Sequence, residues 1–428
     1  MTLSNALNHF RFLSDVHAVG GAVRDTVLGV DYDDIDFATS DRPDTVVRKL
    51  TDRGIDFTTV GIDHGTVVAM IDGDDFDITT FRKDMNQDGR HADVVFCDDI
   101  RDDLARRDLT INALAMDVDG NIIDHFGGIN DLDRGIIRTV GDPMDRFQQD
   151  FLRIVRAARY ANRFDFRIAD DTRTAMGTLA DRVLDNVSVN RIVMDIKKSF
   201  KDPTSSKFIR ILYDLGILQG LIPQFAGMDT LMQNPNYHPQ GDVFSHILKV
   251  IDRAPATPKH RFHALLHDIG KSVAHQPVDG NPWNTFHRHA VVGARMIPDI
   301  AKRLKISNDL RDSIQAVTRL HMRPLNCHDP NGNVTDRAVR RFQRDAGDYL
   351  SDIQVLATAD HDRGDSPLFD DLDTPTTPIL MGRHLIDAGM SPGPHFGPAL
   401  DAAFDAQIND GVSNRSDLLD IAIQQIGA

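Results

Sequence analysis

The chain has 428 residues, 41% of them hydrophobic, and a formal net charge of −16. That length is too great for one ordinary domain and ample for buried cores, so two to four domains are expected. No run of about eighteen apolar residues occurs, which excludes a helical membrane span, and MTLSNALNHFRFLSD lacks the basic-then-apolar order of a secretory signal. The two cysteines, Cys97 and Cys327, form neither a CxxC pair nor a disulfide framework, so a reducing cytoplasm is the expected compartment. The acidic total argues against indiscriminate nucleic-acid binding but leaves room for a local basic groove. All 64 acidic residues are aspartate; ordinary usage would place roughly two dozen or more glutamates in a chain of this size. A motif that ordinarily carries Glu therefore departs here as a property of the whole chain, and helix starts lose the Glu half of a capping box.

From about residue 16 to 140 short apolar strands alternate with helices. HAVGG, IDFATS, TVVAMID and FDITTF read as strands, and AVRDTVLG and DTVVRKLTDRG as helices ending at Gly. From about Asp145 the apolar period becomes helical, first in RFQQDFLRIVRAARYANRF, and helices dominate thereafter. KKSFKDPTSS and MQNPNYHPQGD read as joints, and DSPLFDDLDTPTTP as a loop before a helical tail. The expected class is α+β, a mixed α/β head followed by an all-helical remainder. The sequence carries no signature of oligomeric state.

Within the head, AVGGAVRDTVLGVDYDDIDFATS places Asp34 and Asp36 two residues apart. On a strand such residues point the same way. Two carboxylates held close repel unless a cation lies between them, and Mg²⁺ takes oxygen ligands that it commonly shares with phosphates. Gly20 and Gly21 let the backbone approach a phosphate, the N–H groups of the following helix favour an anion, and Arg24 adds a positive charge one turn in. An acidic solvated loop is the plain alternative. HDIGKS resembles the end of a P-loop, but Leu265 stands where the first Gly belongs.

VGGAVRDTVLG…DDIDFATS resembles the signature of the class II tRNA nucleotidyltransferases, the CCA-adding enzymes of the polymerase-beta superfamily, and of their bacterial poly(A) polymerase relatives. DLARRDLTINALAMD, IIDHFGGINDLDRGIIRTV (a hairpin in the family) and GDPMDRFQQDFLRIVRAARYANRFDFRI continue it in order, closely to about residue 225 and more loosely to the end. The resemblance implies four parts: a nucleotidyltransferase head (palm) over 1–140, a helical neck for nucleotide selection and RNA binding over 141–225, an HD phosphohydrolase domain over 226–366 and a helical tail anchoring tRNA over 367–428. It implies that C, C and A are added to the 3′ end of tRNA from CTP and ATP with Mg²⁺. Asp34 and Asp36 would hold the Mg²⁺. Asp77 is either a third carboxylate or an exposed strand residue. Gly20, Gly21 and Arg24 would hold the triphosphate, and Arg107 would contact the nucleotide with Asp108 ordering it, Arg106 being the substitute. CC-adding, A-adding and poly(A)-polymerase activities are the near alternatives; an HD phosphohydrolase with a non-catalytic RNA-binding head is the distant one.

In that family a Glu-Asp-x-x-Arg motif on a helix selects the incoming base without a template. Here it reads Gln149, Asp150, Phe151, Leu152, Arg153. Cytosine and adenine both present an amino donor beside a ring-nitrogen acceptor, so a carboxylate and a guanidinium one helical turn apart match them and mismatch guanine and uracil. Rejection by leaving buried polar groups unpaired discriminates strongly. Gln149 is expected to orient Arg153 as the family's Glu does, with a weaker bond. Arg156 and Arg159 would continue toward the phosphates, and Lys197, Lys198 and Lys201 would begin a path for tRNA. Asn190 and Asp195 stand where the family often has Glu.

Farther on, His246, the pair His267–Asp268 and Asp360 follow the order H…HD…D, which resembles the HD phosphohydrolase domain. Such residues can hold a divalent metal in a mixed nitrogen and oxygen site that activates water for phosphoester cleavage, implying 2′,3′-cyclic phosphodiesterase or phosphatase activity on RNA ends. His263, His289 and His321 are further candidates for phosphate contact.

Overall fold

A computed structural model describes residues 2–32, 34–85, 93–324, 336–361 and 377–427. The chain divides into two compact units, Met1–Pro223 and Gln224–Ala428. Its class is α+β, with one large sheet near the start and helices thereafter. Among the described residues no helix is long and apolar enough to cross a membrane.

The sheet of the first unit has seven strands. Across it they run Asp56–Thr58, Thr66–Ile71, Asp74–Thr80, Asp36–Thr39, His17–Val19, Leu114–Met116 and Ile122–Asp124. All neighbours are antiparallel except Asp36–Thr39 with Asp74–Thr80, whose parallel register sets Asp36 opposite Asp77. His17–Val19 and Leu114–Met116 are buried throughout, and Val19, Ala38, Phe81, Leu104, Ala113 and Ala115 share one core. The helix Gly21–Leu28 follows the first strand through Gly20 at φ +73° and ends on the left-handed Gly29. The four expected strands and two expected helices form; three short strands were not foreseen. Residues 122–140 are not a hairpin. A strand, a helix Gly128–Asp133 and the pair Ile136–Ile137 follow one another, and that pair lies parallel to Arg167–Ile168.

Beyond the sheet, Leu152–Arg163 packs on Val189–Ser199 and Ser206–Asp214 through Ile154, Val155, Ala157, Ala158 and Ala161, all buried. The second unit gathers the helices Val243–Arg253, Pro258–Leu266, His289–Leu304, Asn308–Leu320 and Leu350–Asp360. The helices Phe396–Asp410 and Arg415–Gly427 follow, with a core of their own. The P-loop-like GKS is packing: a Cβ on Gly270 would collide with the backbone of His289 and Gly293. The expected loop at 365–378 falls mostly outside the described residues, as does Cys327.

Candidate active sites

A cleft of about 1200 Å³ in the first unit is lined by Gly20, Gly21, Arg24, Asp34, Asp36, Asp77, Arg107, Asp150, Arg153, Arg156 and Arg159. Every residue singled out in the sequence of the head and neck as catalytic or nucleotide-binding reaches it. Asp36 opens its strand, but Asp34 lies in the irregular stretch before it, so strand periodicity does not align the pair. The close strand neighbour of Asp36 is Asp77. Burial, then Asp77 and Asp34, push the Asp36 carboxyl up, with Arg107 opposing them.

The glycine turn is shaped by Arg107. A Cβ on Gly20 would lie 2.6 Å from Arg107 Nη1, and φ there already favours glycine. Arg107 reaches the Asn112 carbonyl and the Asp103 carboxylate, each at 3.4 Å; Arg106 holds the other oxygen of Asp103 at 2.9 Å. Asp103, not Asp108, therefore orders this arginine. Asp108 is buried and accepts from Arg156 Nε at 2.7 Å and Asn112 Nδ2 at 3.0 Å. Burial would raise its carboxyl, but Arg156 and Asn112 outweigh that and hold it well below the usual range. Arg24 is also committed: Asp25 takes its Nε and Nη2 at 2.7 and 2.9 Å, Asn112 its Nη1 at 2.5 Å, and Tyr160 and Phe164 flank it. It ties the turn to the neck while one face borders the cleft.

The neck differs from the expected continuous helix. The helix Pro143–Gln149 stops at Asp150, whose backbone is extended (φ −155°, ψ 106°), and a second begins at Leu152. Asp150 Oδ1 accepts from the Leu152 N–H at 3.0 Å, and Arg191 Nη2 donates to Oδ2 at 2.7 Å. Gln149 Oε1 accepts from Arg153 Nη1 at 2.9 Å, as expected, and also from Arg146 Nη1 at 3.0 Å. Arg153 is further fixed on the carbonyls of Arg146 and Arg106. Arg159 is buried against Asp195 at 2.6 Å, so Arg156 and Arg159 each already hold a carboxylate. Asn190 is exposed. Lys198 and Lys201 border the cleft; Lys197 is not among its lining. Arg191 was missed because its partner lies 41 residues away and no local pattern marks it.

In the second unit the expected set assembles. His246 Nε2 lies 2.9 Å from Asp360 Oδ1 and 3.6 Å from Asp268 Oδ2; His267 Nε2 lies 3.3 Å from Asp268 Oδ2 and 3.8 Å from Asp360 Oδ1. His289 and His321 join them at Asp268. His263 does not: its Nε2 faces Ser313 Oγ at 2.8 Å, beside Asp352. Lys271 Nζ sits 2.6 Å from Asp268 Oδ2, and against burial it draws that carboxyl well down. His267 Nε2 and Asp268 Oδ1 are buried with no aligned hydrogen bond, which fits a metal site.

Residues 16–138 match the poly A polymerase head domain, 165–228 the probable RNA and SrmB-binding site of polymerase A, and 244–362 the HD domain. The Bacillus pumilus CCA-adding enzyme is 42% identical over 205 residues, 47% of this chain and 50% of that protein. The chain thus spans about half the length of the first curated relatives it matches. The Levilactobacillus brevis CCA-adding enzyme is 32% identical over 391 residues, 90% of this chain and 87% of that protein. The crystal structure of Bacillus stearothermophilus CCA-adding enzyme in complex with CTP matches with a TM-score of 0.72 at 26% identity, covering 99% of this chain and 95% of that one. A poly(A)-polymerase-type head, a helical RNA-binding segment and an HD domain, in that order, define the class of protein. Within it, the chain belongs to the CCA-adding enzyme family.

Proposed function

We propose that this chain adds C, C and A in turn to the 3′ end of tRNA from CTP and ATP, without a nucleic-acid template, and that its His/Asp pocket is a metal-dependent phosphohydrolase. The observation that carries the first part is the meeting of Asp34, Asp36 and Asp77 with Asp150 and Arg153 on one cleft. The reaction joins the terminal O3′ of the RNA to the α-phosphorus of the nucleotide and releases pyrophosphate. The four parts of the chain are a head over 1–140, a neck over 141–225, an HD body over 226–366 and a tail over 367–428.

Three carboxylates on one cleft make an all-oxygen donor set that suits Mg²⁺, and desolvation, then Asp77 and Asp34, push the carboxyl of Asp36 up. Asp34 and Asp36 would hold the ion, with Asp77 as the third candidate. Bound there it would neutralise charge on the triphosphate and favour attack by the hydroxyl. The chain supplies the rest. First-turn N–H groups of Gly21–Leu28 offer positive dipole ends to phosphate. Arg107 lies against the turn at Gly20. Arg156 and Arg159, held by Asp108 and Asp195, form a fixed cationic wall. Asp150 accepts the amino group common to cytosine and adenine, and Arg153 donates to the neighbouring ring nitrogen. Because Arg191 already holds Oδ2 of Asp150, its carboxylate is aimed before the base arrives.

In the second unit His246, His267, Asp268 and Asp360 would hold a divalent ion, which would supply an activated water for phosphoester cleavage. Two assays separate the activities. Asp36→Ala is expected to abolish addition of CTP and ATP to truncated tRNA while leaving cyclic-phosphate hydrolysis and the thermal transition in place. Addition near the wild-type rate by that variant would refute the head assignment.

A further inference from the structure

Tyr160 is 8% exposed and lines the cleft of the first unit. Arg159 lies 4.3 Å from its ring centroid, Arg24 5.2 Å and Arg156 5.9 Å. Phe164 stacks nearly parallel to it at 6.1 Å, and Arg24 lies over that ring too, at 4.9 Å. One phenol thus sits among three guanidiniums supplied by two helices. We propose that Tyr160 sets the affinity of this cleft for the nucleotide triphosphate: as a phenol it leaves the arginine wall one positive charge in excess, and as a phenolate it cancels that charge. The proposal rests on reading the cleft as the nucleotide site, and Tyr160 acts there through the arginines, as a positioning residue.

The charges around the ring pair unevenly. Arg156 holds Asp108 at 2.7 Å, and Arg159 holds Asp195 at 2.6 Å. Arg24 and Arg163 share the single carboxylate of Asp25, at 2.7 and 3.1 Å. Four guanidiniums therefore face three carboxylates, and the surplus lies with the pair on Asp25, on the helix that opens at Gly21. A triphosphate would neutralise it, and so would a phenolate. Partly buried charges are only weakly screened by salt, so the two anions compete for the same cations.

Burial opposes ionisation of Tyr160, and so does Asp108. Arg156, Arg159 and then Arg24 outweigh them and bring the phenol down to about 8. Below that pH the wall keeps its surplus, and above it the surplus is lost. Lys198, Lys201 and Asp202 line the same cleft, but they are common to the wild type and any variant at 160. Coupling between two ligands is reciprocal, so a bound polyphosphate must push the ionisation of Tyr160 to higher pH.

The test has two arms, both on the full chain. In the first, KM for CTP and for ATP is measured with truncated tRNA and Mg²⁺ at pH values on either side of about 8, in the wild type and in Tyr160→Phe. KM is expected to climb about fivefold in the wild type, the low end of a typical coupling between sites, and to stay flat in Tyr160→Phe, while kcat follows the same pH course in both. In the second, tyrosinate absorbance is titrated with and without saturating inorganic triphosphate and Mg²⁺. The early step is expected to move up by about 0.7 pH unit, the same fivefold coupling seen from the other ligand. A KM that climbs equally in Tyr160→Phe, a tyrosine step that triphosphate does not move, or no early step in the wild type would overturn the proposal. Should Tyr160→Phe fail to fold, the wild-type step and its shift still decide. A chain that adds neither nucleotide while its tyrosine step still shifts would refute nucleotide addition and leave the role of Tyr160 at a polyphosphate site standing.

Discussion

At Gln149 one amide oxygen serves two arginines, Arg146 and Arg153. A carboxylate there would hold both by charge-assisted bonds and fix the guanidinium of Arg153 more firmly. Gln149→Glu is therefore expected to raise the rate of addition or the preference for CTP and ATP over UTP. A gain of about 1 kcal/mol in the transition state corresponds to about fivefold. Relative incorporation of the three nucleotides measures it, and identical rates and ratios would mean that this position does not govern Arg153. Tyr160 carries a pH signature. Burial pushes its phenol up, but Arg156 and Arg159 outweigh burial and bring it down to about 8, from 10.0. The folded state thus favours the tyrosinate, so Tyr160 adds stability as pH climbs from about 8 toward 10.0 and adds none below that window. Of the five tyrosines, one should ionise near pH 8 by its absorbance, and Tyr160→Phe should remove that early step. Residue types at this scale were legible: the aspartates, the glycine turn and Arg153 are all in the cleft. Of the partners, Gln149 was legible for Arg153; those of Arg107 and Arg156 were not, because Asp103 and Asp108 sit five residues apart in one motif and only packing decides which arginine each one holds.

Among the elements, the break at Asp150 is the chief departure from what periodicity predicts. Apolar spacing runs unbroken from Phe147 to Ala161, yet an extended Asp150 interrupts it, because its side chain bonds the Leu152 N–H and receives Arg191. Short polar side chains that bond nearby backbone compete with helix in this way. The same neck shows how aspartate replaces a longer acid. Asp195 reaches Arg159 at 2.6 Å with both side chains buried. Asp195→Ala would leave a buried guanidinium uncompensated, at a cost of about 3–5 kcal/mol. Urea unfolding should show the first unit destabilised by that amount, and a shift within error of zero would show that Arg159 finds water or another acceptor. The three strands missed in the sheet are each three residues long. Too few alternations occur in them to separate a strand from a loop.

For the whole molecule, the order of chemistry along the chain was legible because each site is concentrated in short motifs. The boundary between units falls at Pro223–Gln224, two residues before the division between neck and body expected at 225–226; the Pro- and Gly-rich MQNPNYHPQGD, read as a joint, lies beyond it and is tied into the second unit where Gln233 accepts from Lys271. The pairing of His289 and His321 with Asp268 was hidden, since three separate stretches of chain supply them. Whether the cleft of the first unit selects cytosine and adenine and builds a defined end is tested most directly by sequencing of RNA ends after tRNA lacking CCA is incubated with the chain, all four nucleoside triphosphates and Mg²⁺. Ends finished as CCA are expected, with Asp150→Ala admitting U and G. Ends carrying runs of A, ends of random composition, or an unchanged base preference in Asp150→Ala would contradict it.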